Sequence, residues 1–190
     1  MYKLILVDDE QEVRKGILRK IEWEKYGFEI VGEAENGREA LDIAEKTMPD
    51  VVVTDIKMPF MDGIELSKEL REKFPTTKVI ILTGFDEFEY AQKAIKLNVL
   101  EYALKPITSS ELIEILTRVK ILIDEEKAKK EDINALIEYY KESLPVLKEK
   151  FLSNLISNKL EKEEIIRKSE SYSLNLSGKG FIVSVITIDY

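Results

Sequence analysis

The stretch "VVVTDIKMPFMDG", residues 51–63, contains a short apolar run that ends on a single acid, Asp55. A run of this length bounded by turn residues is typical of a strand buried inside a sheet. The proline and glycine that follow it indicate a turn. An aspartate that only shapes a turn needs no partners, whereas a reactive aspartate needs helper groups from elsewhere in the chain. The ends of the other strands therefore decide between the two interpretations.

Strand and helix patterns alternate around this stretch over residues 1–106. Apolar runs predict strands at 2–7, 28–34, 50–54, 78–83 and 101–105. Helical spacing of apolar residues predicts helices at about 10–21, 37–47, 63–73 and 87–97. Capping patterns mark three helix starts, "DGIE" (62–65), "DEFE" (86–89) and "TSSE" (108–111). This alternation predicts an α/β fold, a doubly wound five-stranded parallel sheet with helices on both faces.

The composition excludes several classes of function. The chain has 190 residues and a formal net charge of −8, which argues against a surface of its own for DNA or anionic membranes. It contains no cysteine and no histidine, so disulfides, thiolate metal sites and imidazole catalysis are excluded. No apolar run is long enough to span a bilayer. We expect a soluble, cytoplasmic protein with no membrane partner.

Polar side chains follow four of the predicted strands. They are Asp8 and Asp9 after the first strand, Asp55 after the third, Thr83 at the end of the fourth and Lys105 after the fifth. The carboxyl ends of parallel strands meet at one edge of a sheet, so these groups are expected to converge. Three neighbouring carboxylates repel one another unless a cation joins them, and an all-oxygen ligand set suits Mg²⁺. One acid of such a cluster can act as a nucleophile toward phosphorus.

Each of these residues also has an ordinary structural interpretation. Asp8 can cap the first helix, Thr83 is a normal strand residue, and Lys105 can be solvated. Taken singly, none of them requires a reactive site. Their joint occurrence at corresponding strand ends favours a phosphoryl-accepting site, in which Thr83 donates a hydrogen bond and Lys105 pairs with a phosphoryl oxygen.

Four motifs together resemble the receiver domains of two-component response regulators. They are "LILVDDE" (4–10), "VVVTDIKMPFMDG" (51–63), "VIILTGF" (79–85) and "YALKP" (102–106), and the resemblance covers about residues 1–122. The stretches at 21–37 and 83–106 further resemble the YesN-like regulators. In that group a helical linker joins the receiver to a C-terminal AraC-type helix-turn-helix, and we find no such DNA-binding module in this chain.

The resemblance implies a role for each acid. Asp55 matches the phosphoacceptor, and Asp8 and Asp9 match the acidic pair that binds Mg²⁺. Asp9 and Asp55 would be direct ligands, together with the backbone carbonyl of Lys57, and Asp8 would act largely through water. A sensor histidine kinase would donate the phosphoryl group.

The resemblance also implies the switch and the sheet order. Thr83 matches the switch hydroxyl, Lys105 the phosphate-pairing lysine, and Tyr102 the aromatic residue that turns inward on activation. The Lys105–Pro106 peptide bond is expected to be cis. The fold would be flavodoxin-like, with strand order 2-1-3-4-5.

A helical pattern continues after Pro106, with no glycine or proline between 109 and 142. Apolar residues alternate at spacings of four and three, which is a heptad seam interrupted by Glu126 and Lys130. The predicted dimer seam consists of Leu112, Leu116, Val119, Ile123, Ile133, Ile137 and Tyr140. A coiled coil between two protomers is our main interpretation. A long helix packed on its own domain and a helical hairpin broken at 124–132 are the alternatives, and Pro145 is expected to break or kink the helix or to start a new one.

The sequence thus divides into a receiver at 1–122, an extended helix and linker at 108–151, and the start of a second domain at 152–190. Residues 151–169 have a helical pattern, 173–180 are a predicted loop and 181–190 a predicted strand. A single strand forms no sheet by itself, so we expect the chain to be a fragment of a longer protein.

The predicted function is that of a phosphorylation-dependent response regulator. It would act as a homodimer and reach DNA only through a domain missing from this chain. We expect no enzymatic activity beyond slow self-phosphorylation and self-dephosphorylation. The alternatives are a Mg²⁺-dependent aspartyl-phosphate phosphatase, in which the nucleophile follows the first strand, and a receiver-like interaction module that is not phosphorylated. The complete acid set argues against the second alternative.

Overall fold

Five strands form one parallel sheet in the part of the chain that the structure describes. The structure is a computed structural model, and it describes residues 1–84, 101–157 and 159–176. The strands are β1 (Tyr2–Val7), β2 (Phe28–Ala34), β3 (Val51–Asp55), β4 (Lys78–Thr83) and β5 (Glu101–Leu104). Their order across the sheet is β2-β1-β3-β4-β5, with every pair parallel, so the predicted order is confirmed.

The helices lie between the strands and after the last one. They are α1 (Gln11–Lys20), α2 (Gly37–Thr47), α3 (Gly63–Lys73), a long helix (Ser109–Ile156) and a final helix (Lys162–Ser171), and a 3-10 turn covers Trp23–Tyr26. The predicted helix at 87–97, its "DEFE" cap and the predicted strand at 181–190 lie outside the described residues.

Side-chain caps explain where the helices begin. Asp62 accepts hydrogen bonds from the backbone N–H groups of Ile64 and Glu65, at 2.9 and 2.7 Å. Thr108 and Glu111 bond each other reciprocally, because the Glu111 carboxylate accepts from the Thr108 N–H at 2.8 Å and the Thr108 hydroxyl from the Glu111 N–H at 3.2 Å. Such caps satisfy backbone donors that the first helical turn leaves unpaired.

The two faces of the sheet carry separate apolar layers because side chains alternate along each strand. On β1, Leu4 and Leu6 point into a layer that contains residues of the long helix, and Ile5 and Val7 point into a layer that contains residues of α2 and α3. All four are fully buried. Burial on both faces explains why the strands have nearly continuous apolar sequences.

The predicted dimer seam is wrong for its first four residues. Leu112, Leu116, Val119 and Ile123 are between 0% and 5% exposed and belong to the core beneath the sheet. Over these residues the helix packs on its own domain, because the apolar stripe covers the face of the sheet that α2 and α3 leave open. The remaining seam residues are exposed to solvent, and the exposed fractions are 57% for Ile133, 44% for Ile137 and 47% for Tyr140.

The long helix runs from Ser109 to Ile156 with Pro145 inside it. The helix continues through 124–132 and Pro145, so the hairpin and a break or new helix at Pro145 are wrong, and the kink considered at Pro145 stays a prediction. By their contacts, residues Met1–Glu126 and Lys127–Tyr190 form two compact units. In the second unit Phe151 is 2% exposed, and its ring meets that of Tyr172 edge-on at a centroid distance of 5.6 Å.

Among the described residues, no helix has the length and apolarity needed to cross a membrane.

Candidate functional site

Lys105 joins two acids at the carboxyl edge of the sheet. Its Nζ lies 2.8 Å from Asp8 Oδ2 and 3.0 Å from Asp55 Oδ1. Asp8 follows β1, Asp55 ends β3 and Lys105 follows β5, so three strands deliver the groups to one point. Asp8 is fully buried, Asp55 is 8% exposed, and the Lys105–Pro106 peptide bond is cis. The fold therefore brings together Asp8, Asp55 and Lys105, three of the residues that sequence reasoning grouped at the strand ends.

Asp8, Asp9 and Asp55 form an acidic cluster. Each offers a carboxylate oxygen, and the three oxygens lie within 4.8 Å of one another. Asp9 is exposed, whereas the other two are buried. Lys105 neutralises only part of this negative charge, and hard oxygen ligands of this kind suit Mg²⁺. The residues present therefore fit the cation expected from the sequence, and the ligand role of the Lys57 carbonyl stays a prediction.

Burial and the nearby charges shift the pKa values of the central pair. Burial raises the pKa of the Asp55 carboxyl above its ordinary value, Lys105 lowers it, Asp8 raises it, and the net shift is upward. Burial by itself lowers the pKa of Lys105, but the hydrogen bonds to Asp8 and Asp55 outweigh it and leave the pKa raised. The charged form of Lys105 is thus stabilised by its two acid partners. The ionised form of Asp55, in contrast, is disfavoured by burial.

The turn after Asp55 is held against the strand by a close backbone approach. A Cβ atom on Gly63 would lie 2.0 Å from the backbone oxygen of Asp55, so only glycine fits there. The N–H of Gly63 donates to the Ile56 carbonyl at 2.8 Å, and the N–H of Ile56 donates to the Leu82 carbonyl at 3.2 Å. These bonds fix the "DIKMPFMDG" turn to β4 and set the position of the Asp55 backbone.

The two predicted switch residues lie on β4 and β5. Thr83 is 2% exposed, and its hydroxyl donates to the Gly84 carbonyl at 3.1 Å. Tyr102 packs against the layer that contains Ile81, its partner in strand register. The Tyr102 hydroxyl is buried without a hydrogen-bond partner among the described residues, and burial raises its pKa to about 12. The part of both residues in a switch stays a prediction.

Sequence reasoning missed Arg14, which contacts the backbone of Asp8. The side chain is buried at 5% exposure, and Nη1 donates to the backbone carbonyl of Asp8 at 2.5 Å. The only sequence signal was an arginine beside the apolar stripe of Val13 and Ile17 on the helix after the acidic pair. A charged residue at such a position is usually solvated, so the pattern alone did not mark it.

Comparison with known families gives one match that covers more than half of the chain. The model of the response regulator receiver domain matches residues 4–117. The REC domain of AraT, a response regulator from Geobacillus stearothermophilus, superposes with a TM-score of 0.64 at 44% identity, over 66% of this chain and 98% of that one. A two-component transcriptional regulator AraC from Clostridium phytofermentans superposes with a TM-score of 0.64 at 34% identity, over 67% of this chain and 99% of that one.

Two longer relatives share the N-terminal part of the chain. An uncharacterised transcriptional regulatory protein, YesN of Bacillus subtilis, is 43% identical over 119 residues, which are 63% of this chain and 32% of that protein. The transcriptional regulatory protein HptR of Staphylococcus aureus is 36% identical over 127 residues, 66% of this chain and 50% of that protein. The match thus spans 32% to 50% of the length of these relatives.

Proposed function

The chain belongs to the response regulator receiver family, and we propose that Asp55 accepts a phosphoryl group from a sensor histidine kinase. The observation that carries this proposal is the contact of Lys105 with both Asp8 and Asp55 beside the three-acid cluster. The chain contains no histidine, so a phosphohistidine donor would be on another protein.

The chemistry follows from the groups at the strand ends. A carboxylate oxygen of Asp55 attacks phosphorus, the bond from phosphorus to the donor breaks, and the donor leaves with the bonding electron pair. Lys105 then pairs with a phosphoryl oxygen in place of the Asp55 carboxylate. Asp9, Asp55 and the Lys57 carbonyl would hold Mg²⁺ directly and Asp8 largely through water, and the bound cation would supply positive charge opposite the phosphoryl oxygens. Hydrolysis of the acyl phosphate returns inorganic phosphate and the free carboxylate.

We propose that the chain acts as a phosphoacceptor in signalling and not as an enzyme. In the phosphatases that also use a nucleophilic aspartate, the nucleophile follows the first strand, whereas Asp55 ends β3. Phosphorylation would change the positions of Thr83 and Tyr102 and shift a two-state equilibrium of the domain. The output would be transcription regulation in the cytoplasm, as the names of the relatives suggest, and we propose that it depends on a DNA-binding domain.

We also propose that the chain forms a homodimer through the second part of the predicted seam. Ile133, Ile137 and Tyr140 are 57%, 44% and 47% exposed on the long helix. Leu136 borders the same face and is also exposed, at 68%, which makes this face strongly apolar. A second copy that pairs along this face would remove it from water.

Intact-mass measurement tests the phosphorylation site. The full chain is incubated with acetyl phosphate and Mg²⁺, and the expected result is a gain of one phosphoryl group that is absent from the Asp55→Ala variant. Omission of Mg²⁺ should strongly reduce the gain, because the acids would then repel the incoming phosphate. The absence of any gain, or a gain that persists in Asp55→Ala, would overturn the assignment.

A further inference from the structure

We propose that Arg14 is a positioning residue that fixes the Asp8–Asp9 turn for cation binding. This inference rests on the proposed function of the acidic cluster, and it adds a residue outside the sequence motif. Arg14 lies on α1 and touches none of the groups that would react. It acts through the backbone of Asp8, to which its Nη1 donates at 2.5 Å.

The guanidinium of Arg14 connects three segments at the carboxyl edge of the sheet. It bonds the Asp8 carbonyl in the β1–α1 turn and also pairs with two glutamates. Nη2 lies 3.1 Å from Glu35 Oε1, and Nε lies 3.4 Å from Glu33 Oε2. Glu33 lies in β2, and Glu35 lies in the loop that leads to α2. The rigid fork of arginine can hold three acceptors at once, which the single ammonium of lysine cannot do in the same geometry.

With Arg14 in place, each polar group of Asp8 has a hydrogen-bond partner. The Asp8 N–H donates to the Ala34 carbonyl at 3.1 Å, and Oδ1 accepts from the N–H of Glu10 at 2.9 Å. Oδ2 accepts from Lys105 Nζ at 2.8 Å, and the carbonyl accepts from Arg14. The carbonyl and the N–H of Asp9 share one planar peptide unit. The bond from Arg14 therefore fixes the direction in which the chain enters Asp9, the exposed acid of the cluster.

The charge of Arg14 is balanced without the acidic cluster. The side chains of Glu33 and Glu35 are 47% and 59% exposed, whereas that of Arg14 is 6% exposed. The two glutamates neutralise the buried guanidinium, so Asp8, Asp9 and Asp55 keep their negative charge for a cation. Groups that orient ligands from outside the ligand set typically contribute a factor of about 10 to 100 in metal affinity.

The test measures the Mg²⁺ dependence of phosphorylation in variants of the 190-residue chain. We expect Arg14→Gln to raise the Mg²⁺ concentration for the half-maximal rate with acetyl phosphate by about tenfold or more. The rate at saturating Mg²⁺ should fall much less, and Arg14→Lys should give an intermediate half-maximal concentration. Arg118→Gln is the matched control, because Arg118 pairs with Glu101 on the surface at 3.0 Å and its loss should leave the Mg²⁺ dependence unchanged.

The outcomes separate this inference from the proposed function. If the wild-type chain takes no phosphoryl group on Asp55, the proposed function fails, and calorimetric titration with Mg²⁺ alone then compares Arg14→Gln with wild type. Equal Mg²⁺ affinities, or equal half-maximal concentrations in a phosphorylated wild type, would overturn the role of Arg14 whatever its effect on thermal stability. Should Arg14→Gln not fold, Arg14→Lys decides, since a half-maximal Mg²⁺ concentration equal to that of wild type would show that the fork is not needed.

Discussion

At the scale of single residues, the site depends on the ammonium of Lys105, which lies between two acids that differ in burial. Lys105 contacts fully buried Asp8 at 2.8 Å and slightly exposed Asp55 at 3.0 Å. The Asp8 carboxylate also accepts a hydrogen bond from the Glu10 N–H at 2.9 Å, and its backbone N–H donates to the Ala34 carbonyl at 3.1 Å. We infer that Asp8 retains Lys105 when Asp55 is modified, so that the ammonium stays available to a phosphoryl oxygen.

The raised pKa of Asp55 leads to a prediction about stability and pH. A carboxyl whose pKa is higher in the folded than in the unfolded chain contributes stability below the unfolded pKa and loses it as pH rises through the folded pKa. We therefore expect Asp55→Asn to be more stable than wild type at neutral pH, with a difference that shrinks as pH falls through the raised pKa. Urea unfolding without divalent cations, from neutral to acidic pH, measures this difference.

Two controls accompany this experiment. Asp42→Asn changes an exposed carboxyl on α2 and should leave the free energy of unfolding nearly unchanged over the same range. Added Mg²⁺ should stabilise wild type more than Asp55→Asn, because the variant loses one anionic ligand. An Asp55→Asn variant less stable than wild type at neutral pH would contradict the burial argument.

At the scale of elements, the β3–α3 turn is the most constrained connection near the site. We expect Gly63→Ala to lower the free energy of unfolding by about 2 kcal/mol, because its Cβ would lie 2.0 Å from the backbone oxygen of Asp55. The turn would have to shift, so the rate of phosphorylation by acetyl phosphate should fall as well. Thermal or urea unfolding and the phosphorylation assay measure the two effects.

Gly16 on α1 offers a matched control for that substitution. A Cβ at Gly16 would meet nothing within 4 Å, so Gly16→Ala should raise helix stability, by about 0.5–1 kcal/mol. If both variants changed stability in the same direction, the close approach at Gly63 would not be the cause of its effect.

The long helix shows how one sequence pattern serves two environments. Its apolar stripe is buried beneath the sheet at Leu112 and Leu116 and exposed at Ile133 and Ile137. Glu126 is one of the two polar residues that interrupt the heptads. It forms an ion pair with Lys78, the first residue of β4, at a distance of 2.7 Å. The interruption therefore coincides with the end of the first unit, at Glu126.

At the scale of the whole molecule, the exposed part of the stripe predicts association. We expect the full chain to be dimeric at high concentration and Ile137→Glu to be monomeric, because a charge within a paired apolar face would be buried without a partner. Sedimentation or light scattering measures the mass in solution, with and without acetyl phosphate. Ala135→Glu adds the same charge on the opposite side of the helix and should leave the dimer intact. A monomeric wild type under every condition would contradict the proposed dimer.

The sequence by itself determined the described strands and the residues grouped at the carboxyl edge, and the resemblance to receiver domains supplied the strand order. Periodicity is a local property, so β1, β2 and β4 begin and end where their apolar runs do. The motifs that carry Asp8, Asp55, Thr83 and Lys105 could be read without a structure, because parallel strands deliver their ends to one edge.

Only the tertiary structure decided which partners these elements meet. A stripe on a helix has the same spacing whether it covers a sheet or a second helix, so Leu112–Ile123 could not be assigned to the core from sequence. The ion pairs of Arg14 join residues from α1, β2 and the loop before α2, and no local pattern relates such distant positions. Burial and long-range pairing depend on how the chain closes on itself, and that is where the sequence-based interpretation had to be corrected.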